Sequence, residues 1–230
     1  WNEQNQKHVF SKLLNHQKTM CTGYSYLIRE LSYLSGIECV IIDGYARSTT
    51  SNVEKLEIAN HSWNAVKLND KWYLCDATWA SGYLDENGLF IQEYNDGYFL
   101  TDPLIFVQNH FPLQRKWLLN EMLIQQDFIA TPLVYGAAIK NDILIVCPEK
   151  MYENCHKDEE IEFCIKSSKN AIQNTIQLIQ FINEEENILE IKNLKNDGEY
   201  IKFQYSFTRK GMKDVHLKIN DEIIASYTFE

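Results

Sequence analysis

The spacing of apolar residues changes near the middle of the chain, and this change constrains the fold more than any other feature. From about residue 135 onward, apolar and polar residues alternate in short segments, as in residues 201–207. A period of two is typical of strands that bury one face. Turn sequences such as Asn220-Asp221 separate the segments. The pattern predicts an antiparallel β-sandwich of about seven strands.

The predicted strands of this second half are short and closely spaced. They cover residues 143–147, 161–166, 176–182, 188–192, 201–207, 215–219 and 223–229.

The first half mixes helical and strand periods. Residues 22–35 place apolar side chains at helical spacing, which predicts a helix that begins at Cys21 or immediately after it. Thr19 is a candidate N-cap, and Gly36 is a natural C-terminal stop.

Three strand-like segments follow this helix, at residues 39–46, 61–68 and 71–75. Asn69-Asp70 has the composition of a hairpin turn, so the last two segments are predicted to pair. The sequence predicts an α+β chain, with a catalytic domain over residues 1–130 and a β-sandwich accessory domain over residues 131–230.

Composition limits the partners. The chain has 22 Lys and Arg against 32 Asp and Glu, a formal net charge of −10, and no basic run. This argues against nucleic acid or an anionic membrane as the main partner. No apolar stretch approaches the ~20 residues of a membrane helix, so no membrane segment is expected. The oligomeric state is left open.

The chain begins at Trp1 in polar, helix-like sequence, as expected of a piece of a longer protein. A missing targeting segment therefore gives no information on compartment, and an extracytoplasmic or secreted location is one alternative.

The six cysteines form no Cys-x-x-Cys pair, which argues against a zinc site. Cys39 and Cys75 lie in apolar runs and are predicted to be buried. A disulfide among Cys147, Cys155 and Cys164 is left open. Neither a metal nor another cofactor is predicted.

Three residues match the needs of a thiol nucleophile. Cys21 is predicted at a helix start, where partial positive charge lowers a thiol pKa. His61 opens a strand and can serve as the base, and Asp76 follows the paired strand and can orient the imidazole. If the hairpin closes at Asn69-Asp70, His61 and Asp76 lie at the same end of adjacent strands.

Each of these residues also has an ordinary interpretation when it is taken alone. A single cysteine is usually structural, a histidine on a strand is usually a satisfied polar residue, and an aspartate after a strand is usually a cap. Their joint placement on the right ends of three elements favours a catalytic triad.

Four segments carry a resemblance to a known family, and their order and spacing matter as much as their residues. They are Met20-Cys21-Thr22-Gly23-Tyr24-Ser25, Gly44-Tyr45-Ala46-Arg47, His61-Ser62-Trp63-Asn64-Ala65-Val66 and Trp72-Tyr73-Leu74-Cys75-Asp76-Ala77-Thr78-Trp79. The chain resembles the transglutaminase-like superfamily, which has a papain-like core. Asn109-His110-Phe111-Pro112, followed by Trp117, is similar to the downstream part of its kyphoscoliosis-peptidase type.

The resemblance covers roughly residues 8–120. It implies a helix bearing Cys21 packed on an antiparallel sheet bearing His61 and Asp76. The strand pattern of the second half predicts that the sandwich is of the Ig-like kind. Cys21 would be the nucleophile, His61 the general base and acid, and Asp76 the orienting carboxylate. One position departs from the family: Met20 stands where a glycine is common, which can narrow access to Cys21.

Neighbouring residues have weaker candidate roles. Trp63 and Trp79 are candidates for the walls of a substrate groove, with packing as the alternative. The backbone N–H of Cys21 is a candidate oxyanion donor, and Asn15, Gln17 and Trp1 are candidates for the second donor.

Three further residues or loops invite a functional role, and an ordinary role is preferred for each. For Arg47 a strand-end salt bridge is preferred to binding a substrate carboxylate. For His110 a structural loop role is preferred to a second base or a metal ligand. The acidic loop of residues 85–88 lacks the ligand spacing of a calcium-binding EF-hand.

The predicted function is cysteine-dependent acyl transfer at amide bonds of a protein or peptide substrate, through a thioester. Hydrolysis is preferred to crosslinking because the resemblance is to the peptidase type and no calcium site is predicted. The alternative is a non-catalytic binding or scaffolding protein. Removal of glycans from glycoproteins ranks lower, because the related proteins that do this carry a zinc-binding cysteine cluster.

Overall fold

The computed structural model describes residues 3–16, 19–49, 57–85, 87–119, 125–167 and 175–230. These residues combine helices with strands that pair mostly antiparallel, so the predicted mixed class is confirmed. The chain divides into two compact units, residues 1–46 with 55–123 (unit 1) and residues 47–54 with 124–230 (unit 2). The domain boundary at residues 130/131 stays a prediction. Among the described residues, no helix combines the length and apolar character needed to cross a membrane.

The described residues of unit 1 form four helices and seven strands. The helices are α1 (Glu3–His16), α2 (Cys21–Leu34), α3 (Ala77–Ser81) and α4 (Pro103–Phe106). The strands are β1 (Cys39–Ala46), β2 (His61–Leu68), β3 (Lys71–Cys75), β4 (Gly82–Leu84), β5 (Phe90–Gln92), β6 (Phe99–Thr101) and β7 (His110–Pro112). Two 3₁₀ turns, Asp96–Tyr98 and Arg115–Leu118, connect some of them.

Five strands of unit 1 form one antiparallel sheet in the order β6-β3-β2-β1-β7. The predicted hairpin is confirmed: β2 and β3 pair from Leu68↔Lys71 to Asn64↔Cys75, with positive φ of 50° and 60° at Asn69 and Asp70. Two consecutive residues with positive φ are the mark of a tight type I′ turn, which fixes the register. This register brings the start of β2 close to the end of β3.

Helix α2 begins at Cys21, as predicted, but its cap differs from the prediction. The N-cap is Met20, which makes no side-chain capping bond, so Thr19 is not the cap. The carbonyl of Met20 accepts from the N–H groups of Gly23 and Tyr24 at 2.9 and 3.1 Å. Thr19 instead lies against Gly23, where a Cβ would stand 1.7 Å from the Thr19 hydroxyl oxygen.

The buried face of α2 is built from small and polar residues rather than from its leucines. Gly23, Ser25 and Tyr26 are buried, whereas Leu31 and Leu34 are 51% and 79% exposed. Small side chains allow close approach to the sheet, and the Asn64 amide of β2 donates to the Ser25 carbonyl at 3.0 Å. The apolar spacing predicted the helix correctly but not the face that it buries.

Gly44 makes space for an indole in the middle of the sheet. It pairs with His61 on β2 and with Pro112 on β7. A Cβ at this position would stand 2.3 Å from the Trp63 ring and 2.4 Å from the Phe111 carbonyl oxygen. Trp63 is therefore able to pack across β1, where it is 1% exposed.

Unit 2 is mainly β-structure with two short helices, α5 (Gln125–Ala130) and α6 (Gly136–Lys140). Its strands are β8 (Leu133–Val134), β9 (Ile143–Cys147), β10 (Tyr152–Glu153), β11 (Glu160–Ser167), β12 (Ile176–Ile182), β13 (Glu185–Leu189), β14 (Lys192–Asn196), β15 (Tyr200–Ser206), β16 (Lys213–Ile219) and β17 (Glu222–Phe229).

The strands of unit 2 form two sheets. One has the order β10-β17-β16-β12-β13, with β8 also paired to β17, and the other has the order β14-β15-β11-β9. The sheets meet through aromatic side chains: Phe163 of β11 lies 5.4 Å from Tyr227 and 6.0 Å from Phe229, both of β17, between ring centroids. Such contacts between the inner faces are typical of a sandwich core.

One predicted strand of unit 2 is wrong. The segment 188–192 is divided between β13, which ends at Leu189, and β14, which begins at Lys192. The reason is that β13 pairs with β12 in one sheet and β14 pairs with β15 in the other, so the chain changes sheets between them. Alternation of apolar residues continues across such a crossing and does not reveal it.

Three side chains of unit 2 bear on open questions from the sequence. Arg47 is 1% exposed and donates to the carbonyl oxygens of Phe128 and Thr131 at 2.7 and 2.9 Å, so it has a buried hydrogen-bonding role, and the strand-end salt bridge stays a prediction. Cys147 and Cys164 face each other across β9 and β11 as free thiols.

We predict that Gly44→Ala lowers the free energy of unfolding of unit 1 by about 3 kcal/mol, because the new Cβ clashes with a rigid ring and with backbone. Urea unfolding followed by tryptophan fluorescence measures this, since all five tryptophans fall within unit 1. Gly36→Ala is the control, because no atom of the described residues beyond its chain neighbours lies within 4 Å of the new Cβ. Only the positive φ of 70° is unfavourable for alanine, and it should lower the free energy of unfolding by about 1 kcal/mol. An equal loss in both variants would contradict the packing argument.

Candidate active site

Asp76 is the residue on which the candidate site converges. It follows β3 directly, is 1% exposed, and caps α3 by accepting from the backbone N–H groups of Thr78 and Trp79 at 2.8 and 3.2 Å. Both of these bonds go to Oδ1. The second oxygen, Oδ2, is left to face the side chains that arrive from β2 and β7.

His61 is the first of these side chains. Its Nε2 lies 2.7 Å from Asp76 Oδ2, and both groups are buried. Burial alone would lower the pKa of His61, but the charge and hydrogen bond of Asp76, together with Cys21, raise it to about 10. Burial would raise the pKa of Asp76, yet the charge of His61 and the hydrogen bonds from His110 and His61 hold it well below its usual range. The two groups therefore form a buried ion pair at neutral pH.

Cys21 lies on the other side of the His61 ring. The thiol is hydrogen bonded to His61, whose Nε2 is already engaged by Asp76, so the contact with Cys21 is made through Nδ1. Burial opposes ionisation, but the hydrogen bond and charge of His61 and the backbone N–H groups of Ser62 and Thr22 outweigh it, and the pKa of the Cys21 thiol is lowered. Its place at the first residue of a 14-residue helix acts in the same direction.

Cys21 differs from the other cysteines of the chain in this respect. Burial raises the pKa of Cys39, Cys75, Cys147, Cys155 and Cys164. A low-pKa thiol can attack an electrophilic carbonyl as the thiolate. The imidazole beside it, which is held by a carboxylate, can then protonate the leaving group. The structure thus brings together Cys21, His61 and Asp76, the three residues predicted from the sequence.

His110 also reaches this carboxylate, which the sequence did not indicate. It lies in β7, is 1% exposed, and places Nε2 3.1 Å from Asp76 Oδ2. His110 therefore lies in a strand rather than in the predicted loop, and its structural role stays a prediction. Strand β7 pairs with β1 at Ala46↔His110, and β1 pairs with β2 at Gly44↔His61, so the two histidines lie at the same end of the sheet.

His61, Asp76 and His110 also have the spacing of a metal site among the described residues. One ligand atom from each lies within 4.8 Å of the others. However, the two contacts to Asp76, at 2.7 and 3.1 Å, are hydrogen-bond distances that shared protons explain. We therefore assign hydrogen bonds here, and the absence of a metal stays a prediction.

The two tryptophans predicted to flank the site differ in exposure. Trp63 is buried between Phe106 and His110, with ring centroids at 5.9 and 5.1 Å, so packing explains it and a groove wall does not. Trp79 is half-buried and lies 5.3 Å from the His61 ring. Trp79 is thus the tryptophan that stays a candidate for substrate contact.

The second oxyanion donor stays a prediction. Asn15 lies near the end of α1 with an exposed side chain, and Trp1 and Gln17 lie outside the described residues. Met20, which precedes Cys21, is 76% exposed, so its side chain projects into solvent at the start of α2.

Comparison with known proteins gives relatives for part of the chain. No protein-family model matches it. Kyphoscoliosis peptidase from Homo sapiens is 39% identical over 111 residues, which is 46% of this chain and 17% of that protein. Hillarin from Drosophila melanogaster is 31% identical over 137 residues, 53% of this chain and 17% of that protein. The LIM and transglutaminase domain protein from Caenorhabditis elegans is 27% identical over 149 residues, 58% of this chain and 20% of that protein.

Among solved structures, the Lin-41 filamin domain matches with a TM-score of 0.28 and 7% identity, over 39% of this chain and 93% of that chain. A match at this score does not assign the fold of unit 2. The sequence relatives are more informative, although the chain spans only about a fifth of their length or less. Over about half of its residues, the chain is similar to proteins named for a peptidase or a transglutaminase domain, which suggests a transglutaminase-like family.

Proposed function

We propose that this protein is a cysteine-dependent enzyme that transfers acyl groups from amide bonds of protein or peptide substrates. The observation that carries the proposal is the chain of contacts from the Cys21 thiol through His61 to the buried Asp76, with 2.7 Å between His61 Nε2 and Asp76 Oδ2. Under this proposal Cys21 is the nucleophile, His61 the base and acid, and Asp76 the carboxylate that orients the imidazole.

In the first step the Cys21 thiolate attacks the amide carbonyl carbon and forms a tetrahedral intermediate. As the C–N bond breaks, the proton on His61 Nδ1 passes to the leaving nitrogen, and a thioester remains on Cys21. Asp76 keeps the ring oriented throughout, because its Oδ2 accepts from the opposite nitrogen.

In the second step the neutral His61 takes a proton from the incoming nucleophile, which attacks the thioester and releases the Cys21 thiolate. Water as the nucleophile gives a carboxylic acid, and a lysine amine gives a crosslink. We propose hydrolysis as the main outcome, supported by the similarity to proteins named kyphoscoliosis peptidase.

The proposal extends to the architecture. Helix α2 on the five-stranded sheet is proposed to be a transglutaminase-like, papain-like core. This is supported by the order of Cys21, His61 and Asp76 on α2, β2 and the end of β3, and by the similarity of about half of the chain to proteins named for a peptidase or a transglutaminase domain. The two sheets of unit 2 are proposed to be an Ig-like accessory domain, supported by their shared aromatic core. Trp79 is proposed to contact the substrate next to the scissile bond, supported by its half-exposed ring beside His61.

We predict that Cys21 reacts with iodoacetamide with a pH inflection below the ~8.5 of a free thiol. The hydrogen bond and charge of His61 stabilise the thiolate, so His61→Ala should move the inflection to ~8.5 or above. Peptide mapping by mass spectrometry follows Cys21 separately.

Controls for this measurement lie in the same chain. Cys39 and Cys155, whose thiol pKa values are raised, should show late inflections in the same digest. His216→Ala, which changes a histidine of unit 2, should leave the Cys21 profile unchanged. A Cys21 inflection equal to that of Cys155 would point to the binding or scaffolding alternative.

We predict that Asp76→Asn lowers the pKa of His61 from about 10 to ~6.5 or below, because burial persists while the carboxylate charge is lost. Asparagine retains an oxygen for the cap of α3 and replaces Oδ2 with an amide N–H, so the variant removes both the charge and the acceptor that face His61. Nitrogen-15 spectra of the histidine rings at pH 8 should show an imidazolium in the wild type and a neutral ring in the variant.

The same change alters how stability depends on pH. Because the pKa of His61 is raised in the folded state, its contribution to stability is fully present below ~6.5 and is lost as the pH rises towards about 10. Asp76→Asn should remove this loss. Asp43→Asn is the matched control, since Asp43 contacts Ser62 rather than His61 in the same sheet. A neutral His61 in the wild type at pH 8 would contradict the ion pair.

We predict that the wild-type protein, but not Cys21→Ala, produces new peptide ends in a mixture of cellular proteins. Mass spectrometry of new amino termini and of Gln–Lys crosslinks separates the two outcomes of the thioester. Crosslinks without new termini would make crosslinking, not hydrolysis, the main reaction. If neither new termini nor crosslinks were found, both reactions would be excluded for the substrates present.

A further inference from the structure

Two imidazoles share one carboxylate oxygen in the candidate site. His61 Nε2 and His110 Nε2 lie 2.7 and 3.1 Å from the same atom, Asp76 Oδ2. A triad needs only the first of these contacts. The second contact is made by His110, whose side chain is fully buried. An unpaired polar group would be costly there, so the contact needs its own explanation.

Counting protons assigns a state to each ring. Asp76 is an acceptor only, so each histidine must donate its Nε2–H to Oδ2. His61 also bonds to Cys21 and is charged. A second imidazolium would lie 5.5 Å from the first, between ring centroids, in a buried site. His110 is therefore neutral, with its single proton on Nε2, and burial lowers its pKa to about 4 in spite of the hydrogen bond and charge of Asp76.

The side chain behind His110 bears on this assignment. In the structure Nδ1 of His110 lies 2.7 Å from Asn109 Oδ1, and Asn109 Nδ2 donates to the Tyr98 hydroxyl at 3.1 Å. A neutral ring with its proton on Nε2 needs a donor opposite Nδ1, so the assignment requires the Asn109 amide turned over, with its N–H towards His110 and its oxygen towards the Tyr98 hydroxyl. The tautomer of His110 and the orientation of this amide therefore determine each other.

Packing prevents the His110 ring from turning away. The ring stacks on Phe106 with centroids 4.2 Å apart and meets Trp79 and Trp63 edge-on at 4.6 and 5.1 Å. Its backbone is fixed by the pairing of β7 with β1. The donor of His110 is thus held rigidly at one place on the Asp76 carboxylate.

We propose that His110 is a positioning residue of the site, which holds Asp76 Oδ2 towards His61 by donating a hydrogen bond to the same oxygen. Two backbone donors hold Oδ1 and two imidazoles hold Oδ2, so the carboxylate cannot rotate. His61 in turn is kept in the orientation in which Nδ1 faces Cys21. His110 acts through Asp76 and has no role in bond making.

The effect of His110 on the reactivity of Cys21 rests on the proposed function, whereas the hydrogen bond from His110 to Asp76 does not. The titratable groups around the Asp76 carboxylate and the two histidines are Cys21 from α2, His61 from β2, His110 from β7 and Tyr98 from the 3₁₀ turn. Burial raises the pKa of Tyr98, so its hydroxyl stays neutral beside the Asn109 amide.

The test compares two substitutions of His110. His110→Phe keeps a flat ring but removes the donor, and we expect alkylation of Cys21 at pH 7 to slow by about tenfold, with its inflection moved upward. His110→Gln places an amide N–H near the position of Nε2 and should recover the rate to within about threefold of the wild type. His216→Gln in unit 2 is the matched control and should not change the rate.

Nitrogen-15 spectra of the histidine rings provide a second readout, which needs neither reactivity nor a folded variant. In the wild type at pH 7, His110 should be the neutral ring with its proton on Nε2, while His61 is an imidazolium. A neutral His110 ring with its proton on Nδ1 overturns the proposal, because it has no Nε2–H to donate to Asp76 Oδ2. The proposal is also overturned if His110→Phe folds and the alkylation of Cys21 keeps its wild-type rate and inflection. The same holds if His110→Gln folds but does not recover the alkylation rate.

The two proposals fail in different ways. An ordinary inflection for Cys21 in the wild type would overturn the proposed enzyme, whereas the tautomer of His110 would still test its bond to Asp76. If His110→Phe does not fold, the tautomer in the wild type decides the matter.

Discussion

The buried carboxylate of Asp76 is the interaction on which the rest of the candidate site depends. Its Oδ1 begins α3 by accepting from Thr78 and Trp79, and its Oδ2 gathers His61 from β2 and His110 from β7. One side chain thus joins a helix to two strands that are not neighbours in the sheet. A charge this deeply buried is tolerated only because each oxygen has two donors, and one of these four donors, His61, is charged.

The charges of the site follow from this arrangement. Burial by itself would neutralise all the ionisable groups, since it raises the pKa of acids and lowers the pKa of histidines. His110 follows that rule, but His61, Asp76 and Cys21 depart from it because each stabilises the charge of the next. The pair of histidines illustrates how one environment can hold one imidazole charged and its neighbour neutral, which is the separation of pKa values expected in acid–base sites.

The supporting frame is set by close backbone approach as much as by apolar burial. Gly44 admits the Trp63 indole across β1, and the indole in turn packs against His110. Small residues on α2 bring the helix close to β2, where Asn64 donates to Ser25. These contacts determine the distance from Cys21 to the sheet, and hence whether a thiol at the helix start can reach an imidazole on a strand.

The sequence alone predicted α2, the hairpin of β2 and β3, and the three candidate residues Cys21, His61 and Asp76. The Asn69-Asp70 turn predicted the β2–β3 hairpin, and a hairpin of that register brings His61 near Asp76. The start of α2 at Cys21 and most strands of unit 2 were likewise predicted, because local turn chemistry and periodicity act over a few residues. Only the tertiary structure decided which other residues reach the site. His110 lies 34 positions after Asp76 in the sequence and meets it because β7 pairs with β1. Trp63 is buried in the core. Contacts between segments so distant depend on the order of strands in the sheet, which no local pattern of residues encodes.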